Sequence, residues 1–194
     1  MTTEFNPQTY WENRLKQDYS LSGVGWQKLG PQFNAYAYQI RAEAFQHAVR
    51  AVPEVFRQTL ATRPVLDIGS GTGFYVDLLR SAGAQSITGV DITQVAVEQL
   101  TKKYQAEVDA GHYRFLQADI STNPSPLGSA RHHLVTAMDV LFHIVDDDRY
   151  QQALRNIRAA TVDGGYFIFS ETLPPGEAGW KTTHQAARSR RHMT

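Results

Sequence analysis

The sequence predicts an α/β fold: a Rossmann-like, doubly wound and mainly parallel sheet of about five strands, preceded by helices. Three observations carry that expectation. From residue 64 onward, short apolar runs alternate with segments of helical periodicity. The first run, Val65-Leu66-Asp67-Ile68, opens into Gly69-Ser70-Gly71-Thr72-Gly73. Later runs end at or beside an aspartate, at Asp91, Asp119 and Asp139.

Each element follows in order. Pro7 with Tyr10, Trp11, Arg14 and Leu15 predicts a short amphipathic helix with proline in its first turn. Leu21 to Pro31, rich in glycine, reads as a loop. Phe33 to Val52 carries Ile40, Ala44, Phe45, Ala48, Val49 and Val52 at helical spacing, and a short helix follows Pro53. Val65, Leu66 and Ile68 suit a strand buried on both faces. Gly69, Gly71 and Gly73 let the chain turn sharply and approach a ligand closely. Tyr75, Val76, Leu78 and Leu79 then resume helical spacing.

Ser86 to Asp91 predicts a second strand, and Thr93 can cap a helix from Gln94 to Val108. Tyr113 to Ala118 is a third strand, and Ser121 to Ala130, with Pro124, Pro126 and Gly128, an irregular connection. Leu134 to Met138 is the fourth. A helix runs from Asp146 to about Thr161, its first turn favoured by Asp146, Asp147 and Asp148. Asp163-Gly164-Gly165 turns into a fifth strand, Tyr166 to Glu171. Right-handed crossovers put the strand ends, and a ligand, on one edge of the sheet. One domain is expected, with a helical cap at 1–62, a ligand-binding core at 63–172 and a tail at 173–194.

Composition bounds the function. The 194 residues suffice for a sizeable core. A formal net charge of zero gives no basic field and argues against nucleic acid as a partner. With no cysteine, disulfides, thiolate catalysis and cysteine-based zinc sites are excluded. Three consecutive acids at a helix start cannot all face one ion, so no metal is expected. Met1 to Asn6 lacks a signal-peptide pattern, and no apolar run approaches the roughly 20 residues that span a bilayer. The expectation is a cytoplasmic domain without a membrane partner.

The glycine turn separates two nucleotide-type ligands. A dinucleotide fingerprint needs glycine or alanine at the sixth position from Gly69, where this chain has Phe74. That disfavours a nicotinamide-dependent oxidoreductase. The acid-led, alternate-glycine form instead resembles motif I of the class I S-adenosylmethionine-dependent methyltransferases. The resemblance runs from about Pro64 to Thr172.

The resemblance implies a cofactor site. Asp67 with Gly69, Ser70, Gly71 and Gly73 forms its floor, and a carboxylate suits the cofactor's cationic groups. Asp91 takes the ribose hydroxyls, with Ile92 against the adenine. Asp119 and Ile120 meet the adenine amino group and ring edge. Ala137 to Ile144, including Met138, passes under the methionine part. The N-terminal helix resembles a cofactor-covering helix, with Trp11 packed over the cofactor and Arg14 donating to its carboxylate. The implied reaction is in-line methyl transfer to a small-molecule acceptor, leaving S-adenosylhomocysteine. Where the acceptor must lose a proton, His143 is the candidate base, with Asp139 to orient it or bind a cationic acceptor. Tyr36, Tyr38, Phe142 and Trp180 are candidate acceptor-pocket residues, and His132 and His133 belong at the far strand end.

One departure stands out. The complete family sheet has seven strands, yet only 22 residues follow Thr172. Strands six and seven are expected to be absent, the fifth strand to be an edge, and the tail to resemble the lead into a helix. Its Lys181, Arg188, Arg190 and Arg191 are weak evidence for nucleic acid without interleaved aromatics. A shortened chain gives a second reading: a non-catalytic module that holds the cofactor or pairs with another subunit. Oligomeric state stays open, a homodimer included.

Overall fold

The computed structural model describes residues 5–174 and 179–189. Arg190 and Arg191 and the first four residues lie outside them. Five parallel strands form the sheet: β1 (Val65–Ile68), β2 (Ile87–Asp91), β3 (Tyr113–Gln117), β4 (His132–Ala137) and β5 (Thr161–Phe169). Their order is β3-β2-β1-β4-β5. The chain winds outward from β1 to β3, then returns to lay β4 on the other side of β1. That reversal opens a crevice beyond the carboxyl ends of β1 and β4, where open α/β sheets take their ligands.

Alternation along β1 splits its side chains between two cores. Val65 joins Ile87 and Leu134 under Phe45, Val76, Leu79, Leu100 and Tyr104. These come from α3 (Gly30–Ala51), α5 (Phe74–Ser81), α6 (Gln94–Lys103) and the residue that ends it. Leu66 and Ile68 join Val90, Val135 and Ala137 under Leu141, Tyr150, Ala153 and Ile157, mostly from α8 (Asp147–Ala160). Each such aliphatic side chain, buried, contributes roughly 1.5–3 kcal/mol. Caps set the helix starts: the Thr93 hydroxyl accepts from Ala96 N, and Asp146 Oδ1 accepts from Arg149 N at 2.8 Å. Each cap is worth about 1 kcal/mol.

Several boundaries differ from expectation. The Leu21–Pro31 segment is not plain loop: Ser20 caps α2 (Leu21–Val24), a 3₁₀ turn covers Gln27–Leu29, and α3 starts at Gly30. Asn34, fully buried, ties that segment together by accepting from Trp26 N and donating to the carbonyls of Trp26 and Gly30. Ile40, assigned to the buried stripe of α3, is 51% exposed. The helix expected over Gln94–Val108 breaks at Tyr104 into α6 and α7 (Gln105–Asp109). Tyr104 is pulled under the glycine turn, where its hydroxyl donates to Asp77 Oδ1 at 2.7 Å. β5 begins before the Gly164-Gly165 turn, which is absorbed as an irregularity in its register with β4.

The tail carries the largest difference. Its described residues form strands, with no helix among them. Trp180–Lys181 (β6) and Ala186–Ala187 (β7) form an antiparallel hairpin apart from the main sheet, which ends at β5. Arg188, buried, pins the hairpin down: its Nε donates to Asp147 Oδ1 at 2.9 Å, its Nη2 to the carbonyls of Ile144 and Val145, and its guanidinium lies 4.0 Å from the Tyr150 ring centroid. No helix among the described residues is long and apolar enough to cross a membrane.

Candidate active site

β1 delivers the glycine turn to the crevice. Gly69, Gly71 and Gly73 all have positive φ, at 73°, 50° and 81°. At Gly69 a Cβ would also stand 2.2 Å from Val140 Cγ2, so the turn is closed to any side chain there. Gly71 N donates to Asp91 Oδ2 at 2.8 Å, and the Tyr19 hydroxyl donates to the Gly71 carbonyl at 2.9 Å. The other Asp91 oxygen accepts from both the amide and the hydroxyl of Thr93. Burial raises the Asp91 pKa, and these donors pull it back. The carboxylate is thereby locked at the end of β2 facing the turn.

A cavity of about 570 Å³ extends from this point. One end is walled by Asp119, Ile120, Ser121 and Arg149, the middle by Asp91, Ile92 and the glycine turn, and the other side by Met138, Asp139, Val140 and His143. Phe5, Trp11, Leu15, Val24 and Tyr38 close it from the N-terminal side, Lys181 and Thr183 from the hairpin. The covering helix α1 (Pro7–Gln17) is fastened by Glu12, whose carboxylate accepts from Gln94 N at 2.8 Å, at the positive end of α6.

Three clusters of polar groups line or back the cavity. Arg149 pairs with Asp119 and donates from Nε to the Ser121 hydroxyl at 3.0 Å. Asp139 is the one non-glycine residue with positive φ among those described, at 60°. Its amide donates to Ser170 Oγ, and its Oδ2 accepts from Arg41 Nε at 2.6 Å and from the Tyr75 hydroxyl at 3.5 Å. Arg41 is itself stacked on Trp26 and Tyr38. His143 is packed against Trp11, with ring centroids 4.9 Å apart. Its Nδ1 lies 2.9 Å from the His184 carbonyl. A carbonyl only accepts, so Nδ1 carries the proton and Nε2 keeps a lone pair. Burial holds the His143 pKa down at about 4, despite that carbonyl.

Comparison with known proteins agrees with this geometry. A family model described as a methyltransferase domain matches residues 65–165. The tRNA U34 carboxymethyltransferase of Pseudomonas savastanoi pv. phaseolicola is 28% identical over 170 residues, which cover 86% of this chain and 50% of that protein. The magnesium protoporphyrin IX methyltransferase of Synechocystis, solved with S-adenosylmethionine, superposes with a TM-score of 0.67 at 18% identity, covering 100% of this chain and 85% of that one. A Leishmania major S-adenosylmethionine-dependent methyltransferase superposes at 0.72 and 17% identity, covering 96% and 68%. This chain belongs to the class I S-adenosylmethionine-dependent methyltransferases. It spans about half the length of the sequence relatives it matches.

Of the anticipated residues, Gly69, Ser70, Gly71, Asp91, Ile92, Asp119, Ile120, Met138, Asp139, His143 and Trp11 line this one cavity. Three anticipated residues do not line it. Gly73 turns away under Tyr104, which donates to its carbonyl. Arg14 donates to the carbonyls of Gly23 and Gly25 and to the Tyr10 hydroxyl, so it fastens α1 to α2 and the residue that ends it. Asp67 sits behind the turn, fully buried, with Oδ1 accepting from the Thr136 hydroxyl at 2.7 Å and no hydrogen-bond partner for Oδ2 among the described residues. Burial, only partly offset by Thr136, raises its pKa to about 6.

The residues present suit the cofactor: a turn closed to a side chain at Gly69, carboxylates on the cavity wall at Asp91, which ends β2, and at Asp119, just beyond β3, and an unpartnered buried carboxylate oxygen of Asp67 behind the turn. Of the proposed acceptor residues only Tyr38 reaches the cavity; Tyr36 and Trp180 are exposed, and Phe142 lies tilted against His143. His132 is buried and His133 packs near Phe56, both at the amino end of β4. Tyr19, Arg41, Arg149 and the hairpin were not legible beforehand. Their partners lie 28 to 98 residues away in sequence, and nothing local marks them.

Proposed function

We propose that this chain transfers a methyl group from S-adenosylmethionine to a small-molecule acceptor, with core 63–172 holding the cofactor and residues 1–62 closing over it in the cytoplasm. The observation that carries this reading is the locked Asp91 carboxylate: its donors fix both oxygens beside a glycine turn that has no room for a side chain at Gly69. Asp91 then binds the ribose hydroxyls, Asp119 the adenine amino group, and Ile92 and Ile120 the faces of the ring. Asp67 sits beneath as a counter-charge, and Trp11 covers the cofactor. When bound there, the cofactor would supply an electrophilic methyl group, taken by an acceptor lone pair while the carbon–sulfur bonding pair stays on sulfur.

The protein's work is alignment and exclusion of water. Asp139 binds the acceptor's donor group, and the Nε2 lone pair of His143 orients it. Held near pH 4, His143 is neutral at physiological pH and too weak a base to take a proton outright. Acceptors that are already nucleophilic are therefore favoured. The roofed cavity and the zero net charge support a small molecule.

A second reading has its own support. The relatives are named for carboxymethyl transfer to tRNA, so the acceptor could be RNA and the transferred group larger. Incubation with methyl-labelled S-adenosylmethionine, against a small-metabolite extract and against unmodified tRNA, separates them. Label in the metabolite fraction is expected. Label in tRNA would replace the acceptor, and cofactor binding with no label in either fraction would favour the non-catalytic module.

A further inference from the structure

We infer that Asp139 selects the group carried by the sulfonium donor, admitting methyl and rejecting a carboxylate-bearing group such as carboxymethyl. The inference rests on the cofactor reading above and concerns the same pocket.

Around the glycine turn, the wall and its backing hold three carboxylates, Asp67, Asp91 and Asp139. Of the cations that line the cavity, Arg149 is paired with Asp119 at its far end and Lys181 with Asp147. Two arginines stand behind the wall. Arg14 is committed to the Gly23 and Gly25 carbonyls and the Tyr10 hydroxyl. Arg41 is committed to Asp139, with Nε 2.6 Å from Oδ2 and its plane stacked 4.6 Å from the Trp26 centroid. A donor with a carboxymethyl group brings one additional carboxylate toward the end of β4. There it meets the Asp139 carboxylate, while the nearby guanidinium able to receive it is already masked by that same carboxylate. A methyl group carries no such charge, and its sulfonium is attracted.

The backbone points the same way. Asp139 is held at φ 60°, a conformation a non-glycine side chain rarely adopts. Its amide to Ser170 Oγ, and its side chain to Ser170, Arg41 and Tyr75, fix the carboxylate against the cavity. Strain that surroundings over-determine in this way gathers at functional positions. Asp139 is the residue that touches the donor; Arg41 is a positioning residue that acts through it.

The test is calorimetric titration of the wild-type chain with S-adenosylmethionine and, separately, with S-adenosyl-S-carboxymethylhomocysteine. Wild type should bind the methyl donor at least about tenfold more tightly, as a like-charge contact at the protein surface would give. Asp139→Asn keeps the shape and the tolerance of positive φ, removes the charge and unmasks Arg41. It should collapse or invert the ratio, mainly by tightening the carboxymethyl donor. Arg41→Met should leave the methyl donor within a few fold and bind the carboxymethyl donor more weakly still. Equal affinity of wild type for the two donors, or an unchanged ratio in folded Asp139→Asn, overturns the selection by Asp139. Wild type that binds neither donor overturns the cofactor reading together with this one.

Discussion

At the residue scale, the site places ionisable groups where burial opposes their charge. Asp67 and His143 are displaced in opposite senses, and their effects on stability oppose each other. Asp67 is raised to about 6, so between its ordinary range and that value the folded chain holds a proton that the unfolded chain has lost. Its contribution is therefore full at low pH and declines as pH rises through 6, by about 3 kcal/mol in all. His143, held down at about 4, is neutral in the fold while the unfolded imidazole protonates below 6.5. Its contribution is full above 6.5 and falls as pH drops through 4. In Asp67→Asn the His143 effect remains and the Asp67 effect is gone. Urea unfolding at a series of pH values should show the variant gaining on wild type as pH rises from about 4 to 7. A constant difference across that window would mean Asp67 titrates as an ordinary aspartate. The motif was plain in the sequence at this scale, but the orientation of Arg14 was not. Helical spacing puts Arg14 on a face of α1, and only the carbonyls of Gly23 and Gly25 at the end of α2 decide what that face meets.

At the element scale, the elements that follow a local rule were readable. β1 is an apolar run ended by glycine, α6 begins at a threonine cap, and α8 begins at an aspartate cap. Elements set by distant partners were not. α6 breaks because Tyr104 is drawn beneath Gly73, and the tail folds as a hairpin because Arg188 reaches a socket made by Asp147, Tyr150 and two carbonyls. The tail has no alternation of apolar and polar residues to announce a strand. The hairpin in turn seals His143, whose Nδ1 donates to the His184 carbonyl, while the His184 ring stacks on Tyr10. Arg188→Ala should release it with only a local loss of stability, because Asp147, the partner it leaves behind, is 61% exposed and stays solvated. Water would then reach His143, and its pKa should climb from about 4 toward 6.5. Proton NMR titration of the imidazole ring reads this directly. A pKa that stays near 4 in the variant would assign the burial to Trp11 and Phe142 alone.

At the scale of the whole molecule, the winding order explains why the site lies where it does. The strand order reverses between β1 and β4, and α1 and the hairpin meet over the opening, where the His184 ring stacks on Tyr10. Sequence alternation was enough to anticipate the sheet, its five strands and the edge at which the cavity opens. It was silent on the acceptor, because the walls facing it come from α1, α3 and the hairpin, brought together only by the fold. The central claim is that this cavity holds S-adenosylmethionine through Asp91. Calorimetric titration of the wild-type chain and of Asp91→Ala with S-adenosylmethionine, S-adenosylhomocysteine and NAD tests it most directly. Wild type should bind the first two and not NAD, and the loss of a charge-assisted acceptor should weaken binding by about tenfold or more in the variant. Heat with NAD alone, or unchanged affinity in a folded Asp91→Ala, would contradict the account.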